Sequence, residues 1–326
     1  MATATAETPA ARAAELRRRG RFNPGDTALH GITLGAAAAA VALLGLIAWK
    51  VVDQARPAMH RFGLHFLVSN DWDPGVRQVF GAAAFLFGTA VTSLGALLIA
   101  GPLSIAIALF LTELAPRWLR GPVGALVEML AAVPSVVVGL WGILVMGPFV
   151  ANHLEPWLKH TFGFLPLFRG DPSIFGLLPA ILVLTIMITP IVSSVSRELF
   201  LGVPRDLKEG ALALGTTRWE MIRGVVLPYA RSGIAAALIL GLGRAVGEAI
   251  AVTQVIGGNV AIHWSLFQPG DTLASRIASQ YQGATTKLQV GSIAYLATIL
   301  LVFSLVANVF AQAIVRKVAP RQPVIR

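Results

Sequence analysis

The residues best placed to do chemistry in this sequence are Arg244 and Glu248, in the stretch GRAVGEAIAVTQVIGG. They sit inside a long apolar run, where a charged side chain costs at least about 2.5–3.5 kcal/mol if the run crosses a bilayer. On a helix the two lie one turn apart on the same face. Arginine before glutamate is the weaker order for such a pair, so neutralisation within one helix is an incomplete reason for both. Two readings stay open. One is a buried interhelical ion pair that fixes helix register. The other is an arginine that meets an anion through charge-assisted hydrogen bonds, with the glutamate holding it when no anion is present. No nucleophile–base pair is evident elsewhere. The six histidines are scattered without metal-ligand spacing, and cysteine is absent, which excludes disulfides and Cys-based metal sites. No GxxxxGK[ST] phosphate loop occurs. The expectation is a non-enzyme that itself binds no cofactor or metal.

A second stretch, DLKEGALALGTTRWEMIRGVVLP, is polar although apolar runs flank it. Pro204, Arg205 and Asp206 suit a helix start with an acid in the first turn. Leu207, Ala211 and Leu214 recur at i, i+4, i+7 and form one apolar face. Gly215 then provides a helix stop. Thr217-Arg218-Trp219-Glu220 matches a capping box that opens a second helix, with Trp219, Ile222 and Val226 as its apolar side chains. Gly210, in mid-helix, costs about 1 kcal/mol relative to alanine, which a close backbone approach by something else would justify.

These two features must be positioned by membrane helices. Of 326 residues, 56% are hydrophobic and 13% charged, with a mean hydropathy of +0.72, against about 25% charged in soluble domains. Runs near the roughly 20 residues needed to cross a bilayer fall at 31–52, 84–111, 123–149, 173–195, 233–256 and 290–314. They predict an all-α polytopic protein with one membrane domain over 29–318, a cytoplasmic loop at 204–228, and tails at 1–28 and 319–326. Prolines 102, 134, 179 and 190 predict kinks. Lys and Arg concentrate on segments that are inner if both termini are cytoplasmic, among them Arg12, Arg17, Arg18, Arg19, Arg21, Arg117, Arg120, Arg316, Lys317, Arg321 and Arg326. The arginine cluster at 17–21 reads as a topogenic and lipid-headgroup signal. This placement explains the net charge of +10 without nucleic acid. The first run reads as a retained anchor rather than a cleaved signal. Trp49 and Trp72 suit the outer headgroup belt and Trp118 the inner one. The outer segments 53–83 and 257–289 have enough Phe, Leu and Trp for short interfacial helices, and 150–172 is a third outer segment.

The polar stretch carries a resemblance. Glu209-Gly210-Ala211, three residues, Gly215, nine residues, Val225-Val226-Leu227-Pro228 resembles the EAA loop of ATP-binding-cassette importer permeases. It departs by Gly210 for alanine and Val225 for isoleucine. ALALGTTRWEMIRGVVLP, ITPIVSSVSREL, LAAVPSVVVGLWGILV, FGTAVTSLGALLIAGPLSIAIALFLTE, GRAVGEAIAVTQVIGG and TLASRIASQY are together similar to the membrane subunits of the phosphate-specific (Pst) transporters. FGLHFLVSNDWDP, with VPSVVVGLWG, favours the C-type subunit over the A-type.

The resemblance implies a type I (MetI-like) importer permease of a prokaryotic cytoplasmic membrane, carrying inorganic phosphate. It implies as partners a homologous permease (PstA), two copies of an ATPase (PstB) that uses ATP and Mg²⁺, and a phosphate-binding protein (PstS). The loop then becomes a coupling helix seated on the ATPase through Leu207, Glu209, Gly210, Ala211, Leu214, Gly215, Thr217, Trp219 and Glu220. It also implies that Arg244 and Glu248, as the GR-x-x-GE motif, line the phosphate path. Pro228 feeds the loop into the fifth span, and Arg244 lies about 16 residues, or about 24 Å of helix, beyond it. Gly243 and Gly247 form a GxxxG pair suited to close packing against a partner subunit. Pro134 and Ser135 either break the third span toward the pathway or merely kink it. Ser193, Ser194 and Ser196 line a pore or bond to their own helix, and Glu128 makes a pathway or an interfacial contact. Arg276 either touches an arriving anion or forms a salt bridge. Rival readings are a permease of the same fold for molybdate, sulfate or an amino acid, a secondary transporter, and a membrane scaffold without transport.

Overall fold

The computed structural model describes residues 24–318. The expectations for residues 1–23 and 319–326, including the arginine cluster at 17–21, lie outside the described residues. Among those described, six helices are long and apolar enough to cross a membrane: Thr27–Leu67, Ala83–Leu114, Ser135–Phe162, Leu177–Leu201, Arg218–Gly247 and Lys287–Ala313. The expected all-helical fold is observed, with a two-stranded antiparallel ladder that the sequence did not suggest.

In order, α1 (Pro24–Phe62) is followed by β1 (Trp72–Asp73) and β2 (Val79–Phe80). Then come α2 (Ala83–Leu114), α3 (Arg117–Ala132), α4 (Ser135–Phe162) and α5 (Leu177–Leu201). The segment expected to be a coupling helix, called the coupling segment below, comprises α6 (Arg205–Ala213) and the start of α7 (Arg218–Gly247). Last are α8 (Ile250–Val255), α9 (Leu273–Gln280) and α10 (Lys287–Val318). Helix α1 starts at Pro24, so the end of the predicted tail is helical.

The chain divides into two units, Met1–Asp53 and Gln54–Arg326. In the first, Leu29, Ile32, Val41 and Leu43 of α1 are all exposed, as befits a helix that is apolar all round and meets lipid. The second is built on the pairing of α2 with α5. Ala96 and Ala100 let the helices approach, burying Leu184 and Ile188. The Ser104 hydroxyl donates to the Thr189 carbonyl at 3.1 Å, adding a polar tie across the pair. Pro102 and Pro190 lie inside these helices. Pro179 falls in the first turn of α5, where no intrahelical bond is lost, so it need not kink the helix. A second cluster joins Phe66, Phe80, Phe85 and Tyr295, and a third joins Phe200, Met221, Ile222 and Val226 beneath the coupling segment.

Three sequence expectations need correction. The run at 123–149 is not one helix: it divides at Val133–Pro134, both extended. The membrane-length piece, α4, continues to Phe162, through much of the segment expected to be an outer loop. The run at 233–256 is likewise discontinuous, because α7 ends at Gly247 and α8 starts at Ile250. Trp72 is not a freely exposed belt residue. Its ring stands edge-on to Phe80 and Phe85, at 5.0 and 5.3 Å between centroids. Trp49 and Trp118 are exposed.

Candidate functional site

Arg244 lies in the last turn of α7, and its Nη2 is 3.3 Å from Glu248 Oε2. The two ends of this pair differ. The Glu248 side chain is 6% exposed, whereas that of Arg244 is 49% exposed. Glu248 has ψ of 119°, so the helix ends there and the pair is not constrained by regular i,i+4 geometry. This removes the objection that arginine precedes glutamate. Glu248 Oε1 also accepts the Ala251 N–H at 3.3 Å, so one carboxylate holds the arginine and caps the short helix α8. The ion pair is present, but the reading in which both partners are buried is not: Arg244 faces a groove of about 940 Å³, shared with Ile191, Leu240, Gly243, Leu305 and Asn308.

Pro134 and Ser135 are brought into the same assembly through the helix that follows them. Pro134 caps α4, and its carbonyl accepts the Val137 and Val138 N–H groups at 3.0 and 3.2 Å. The first turns of α4 pack on α8 at Gly139, where an added Cβ would stand 2.8 Å from Ala251 Cα. Gln254 of α8 donates to the Val136 carbonyl at 3.4 Å. The two helix breaks therefore support each other: the piece after Pro134 packs on the piece after Glu248. Ser135 is half-buried.

Arg276 belongs to a separate pocket of about 390 Å³ that does not include Arg244. Its Nε is 2.8 Å from Asp271 Oδ2, and its Nη2 donates to the Gly258 carbonyl at 2.8 Å. The guanidinium lies over the rings of Phe85 and Trp72, 4.9 and 5.8 Å from their centroids. Burial pushes the Asp271 carboxyl above the usual range, against the opposing pull of the Arg276 charge. This is the salt-bridge alternative, with both side chains almost wholly enclosed.

The coupling segment follows its local signals. Gly215 has φ of +85°, which only glycine adopts at little cost. The Thr217 N–H donates to Glu220 Oε2 at 2.7 Å, and the Glu220 N–H donates to Thr217 Oγ1 at 3.3 Å. Leu207, Leu214 and Trp219 are exposed, Leu214 at 86%, while Ala211 is half-buried. Glu209 and Gly210 are also exposed, and among the described residues nothing approaches the Gly210 position within 4 Å. The segment thus presents apolar side chains that its own chain leaves uncovered. Ile222 and Val226 instead turn inward to Phe200.

Sequence reasoning missed Lys208. Its Nζ lies 2.6 Å from Glu113 Oε1 at the end of α2 and donates to the Phe200 carbonyl at 3.0 Å. The side chains are 16% and 11% exposed. With partners 95 residues apart, no local pattern announces the pair. Asn308 and Gln312 were also missed, although both line the Arg244 groove. Their only sequence signal is polarity inside an apolar run. Gly243 lies near Asn308, whereas among the described residues nothing approaches Gly247 within 4 Å. Ser193 bonds to the Pro190 carbonyl of its own helix at 3.1 Å, Ser194 is exposed and Ser196 is buried. Glu128 pairs with Arg197 at 3.0 Å.

Residues 100–320 match the family described as the binding-protein-dependent transport system inner membrane component. The phosphate transport system permease protein PstC of Mesorhizobium japonicum is 40% identical over 317 residues, covering 96% of this chain and 97% of that protein. PstC of Xylella fastidiosa is 46% identical over 255 residues, covering 76% and 78%. PstC 1 of Mycobacterium tuberculosis is 39% identical over 332 residues, covering 95% and 96%. Among solved structures, a bacterial alginate ABC transporter chain superposes with a TM-score of 0.60 at 18% identity, over 90% of this chain and 97% of that one. A chain of the inward-facing MetNI methionine ABC transporter gives 0.51 at 20% identity, over 72% and 94%. At such identities the structures speak for the fold alone. Together with the six membrane-length helices and the exposed coupling segment, these matches establish that the chain belongs to the inner membrane components of binding-protein-dependent transport systems, within the PstC family of phosphate transport system permeases.

Proposed function

We propose that the chain forms half of the translocation path of an ATP-driven inorganic phosphate importer and couples that path to a separate ATPase. The observation that carries this reading is Arg244, a half-exposed cation in a membrane groove, tethered at 3.3 Å to the buried Glu248. A phosphate oxyanion in the groove competes with Glu248 for the guanidinium. Each charge-assisted hydrogen bond it gains contributes about 1.5–3 kcal/mol. When the anion leaves, Glu248 takes the arginine back, so the cation is never stranded. Glu248 keeps its place throughout through the Ala251 N–H.

The partners are a homologous permease of the PstA type across the groove, two PstB-type ATPases on the coupling segments, and a PstS-type binding protein that delivers phosphate from outside. ATP and Mg²⁺ are used by the ATPase chains. Both termini and the coupling segment face the cytoplasm of a prokaryotic cell. The exposed Leu207, Leu214 and Trp219 support the ATPase contact, because they form an apolar surface that the described residues of the chain leave uncovered. Nothing comparable supports an anion contact at Arg276, which is already held by Asp271 and Gly258; its role is to fix the loop beside α8.

The test is phosphate uptake and ATP hydrolysis by the assembled complex in proteoliposomes. Arg244→Gln abolishes uptake while the complex still assembles. Unchanged uptake would rule out the pathway role. Stimulation of ATP hydrolysis by sulfate or molybdate, and not by phosphate, would overturn the substrate.

A further inference from the structure

Two uncharged polar side chains share the Arg244 groove. Asn308 and Gln312 lie one turn apart on α10 and both line the cavity. The wall around them is largely aliphatic, with Ile191, Ile239, Leu240 and Leu305. Asn308 Oδ1 lies 4.0 Å from the position that a Cβ on Gly243 would occupy, beside the residue that precedes Arg244. Asn308 is half-buried and Gln312 exposed. Neither amide has a hydrogen-bond partner among the described residues. Two amides on one face of a membrane helix, in the groove that Arg244 shares, therefore offer an occupant of that groove hydrogen-bonding groups that the described residues leave uncommitted. Successive membrane-crossing helices run in opposite directions. Gln312 therefore lies nearer than Asn308 to the Arg218 end of α7, where the coupling segment is.

We propose that Asn308 and Gln312 coordinate the anion in transit and form, with Arg244, a ladder along which phosphate passes toward the coupling segment. This rests on the phosphate-path reading above. A primary amide offers two N–H donors to an oxyanion and a carbonyl acceptor to the proton that phosphate carries near neutral pH. Having no fixed charge, it holds the ion less tightly than Arg244 does, as a station on a path must if the ion is to leave.

The test uses the complex purified with its partner chains and reconstituted in proteoliposomes with inorganic phosphate. Asn308→Leu lowers kcat/KM for uptake by about tenfold or more, the loss of one hydrogen bond to a charged group. Gln312→Leu lowers it less. Both variants assemble in parental amounts. If both transport normally while Arg244→Gln is inactive, the ladder is wrong and the path reading stands. If Arg244→Gln also transports, both are wrong. If Asn308→Leu fails to co-purify with its partners, Asn308 is an interhelical contact rather than a station, which overturns the inference.

Discussion

Replacing Lys208 with methionine tests whether the coupling segment is tied to the membrane helices by a specific joint. Lys208 Nζ is 2.6 Å from Glu113 Oε1, and both side chains are nearly enclosed, at 16% and 11% exposure. Breaking a fully buried pair costs about 3–5 kcal/mol, because the remaining charge is stranded. Residual solvent access recovers part of this, and the bond to the Phe200 carbonyl, worth about 1 kcal/mol, is lost as well. The net expectation for Lys208→Met is about 2–3 kcal/mol. Glu113→Gln keeps an acceptor for the lysine and should cost about 1–2 kcal/mol. The double variant removes both the cation and the carboxylate that it would have stranded, so the cycle should show a coupling energy of about 1.5 kcal/mol or more. The assay is denaturant unfolding of the detergent-solubilised complex, run beside a measurement of ATP hydrolysed per phosphate transported. That ratio should rise in Lys208→Met, since α6 is then released from the ends of α2 and α5. Additivity within about 0.5 kcal/mol, with an unchanged ratio, would refute the joint.

Two further expectations concern the elements that support the site. Gly139→Ala places a Cβ 2.8 Å from Ala251 Cα; it should destabilise by about 1–3 kcal/mol and reduce uptake by moving α8 and its cap, and a parental melting temperature would contradict this packing. Burial holds the Asp271 carboxyl above its ordinary range, so the folded protein keeps that proton to higher pH than the unfolded chain. The resulting contribution to stability is complete below the ordinary aspartate range and is lost as pH rises through the raised value. Asp271→Asn, which cannot titrate, should flatten that part of the melting-temperature profile; equal slopes in the two proteins would contradict the assignment.

The parts of the site legible in the sequence are those governed by neighbours along the chain. The stop at Gly215 and the box at Thr217 and Glu220 need only residues within one turn, and both are observed. The break at Pro134 is likewise a property of proline and its predecessor. The break at Glu248 is different. Ala245, Val246, Ala249, Ile250 and Ala251 are compatible with a continuing helix, and only the tertiary setting stops it: Gly139 admits α8 at close range, and Glu248 caps it. Periodicity alone therefore gave one span where there are two pieces. Lys208 with Glu113 and Asn308 with Gly243 are contacts between distant parts of the chain, invisible until the helices are packed. Arg276 was ambiguous because its partner Asp271, although only five residues away, lies just before the cap of α9, so no i,i+4 pairing within the helix names it.

The interruption between Gly247 and Ile250 also bears on the dielectric around Arg244. The end of α7 and the start of α8 leave backbone carbonyls and N–H groups without partners in either helix, inside the apolar run expected to be the fifth span. Irregular backbone survives there only where protein buries it or an aqueous cavity wets it. The packing of α8 on α4 and the Glu248 contact supply the first condition at the break, while the groove beside it reaches Arg244. Hydration reaching that cavity would raise its effective permittivity and lower the self-energy of the guanidinium. The penalty set by an isolated helix in hydrocarbon is then too high for this arginine. On this account Arg244 is held between an open groove on one side and, on the other, a carboxylate that the break itself fixes in place.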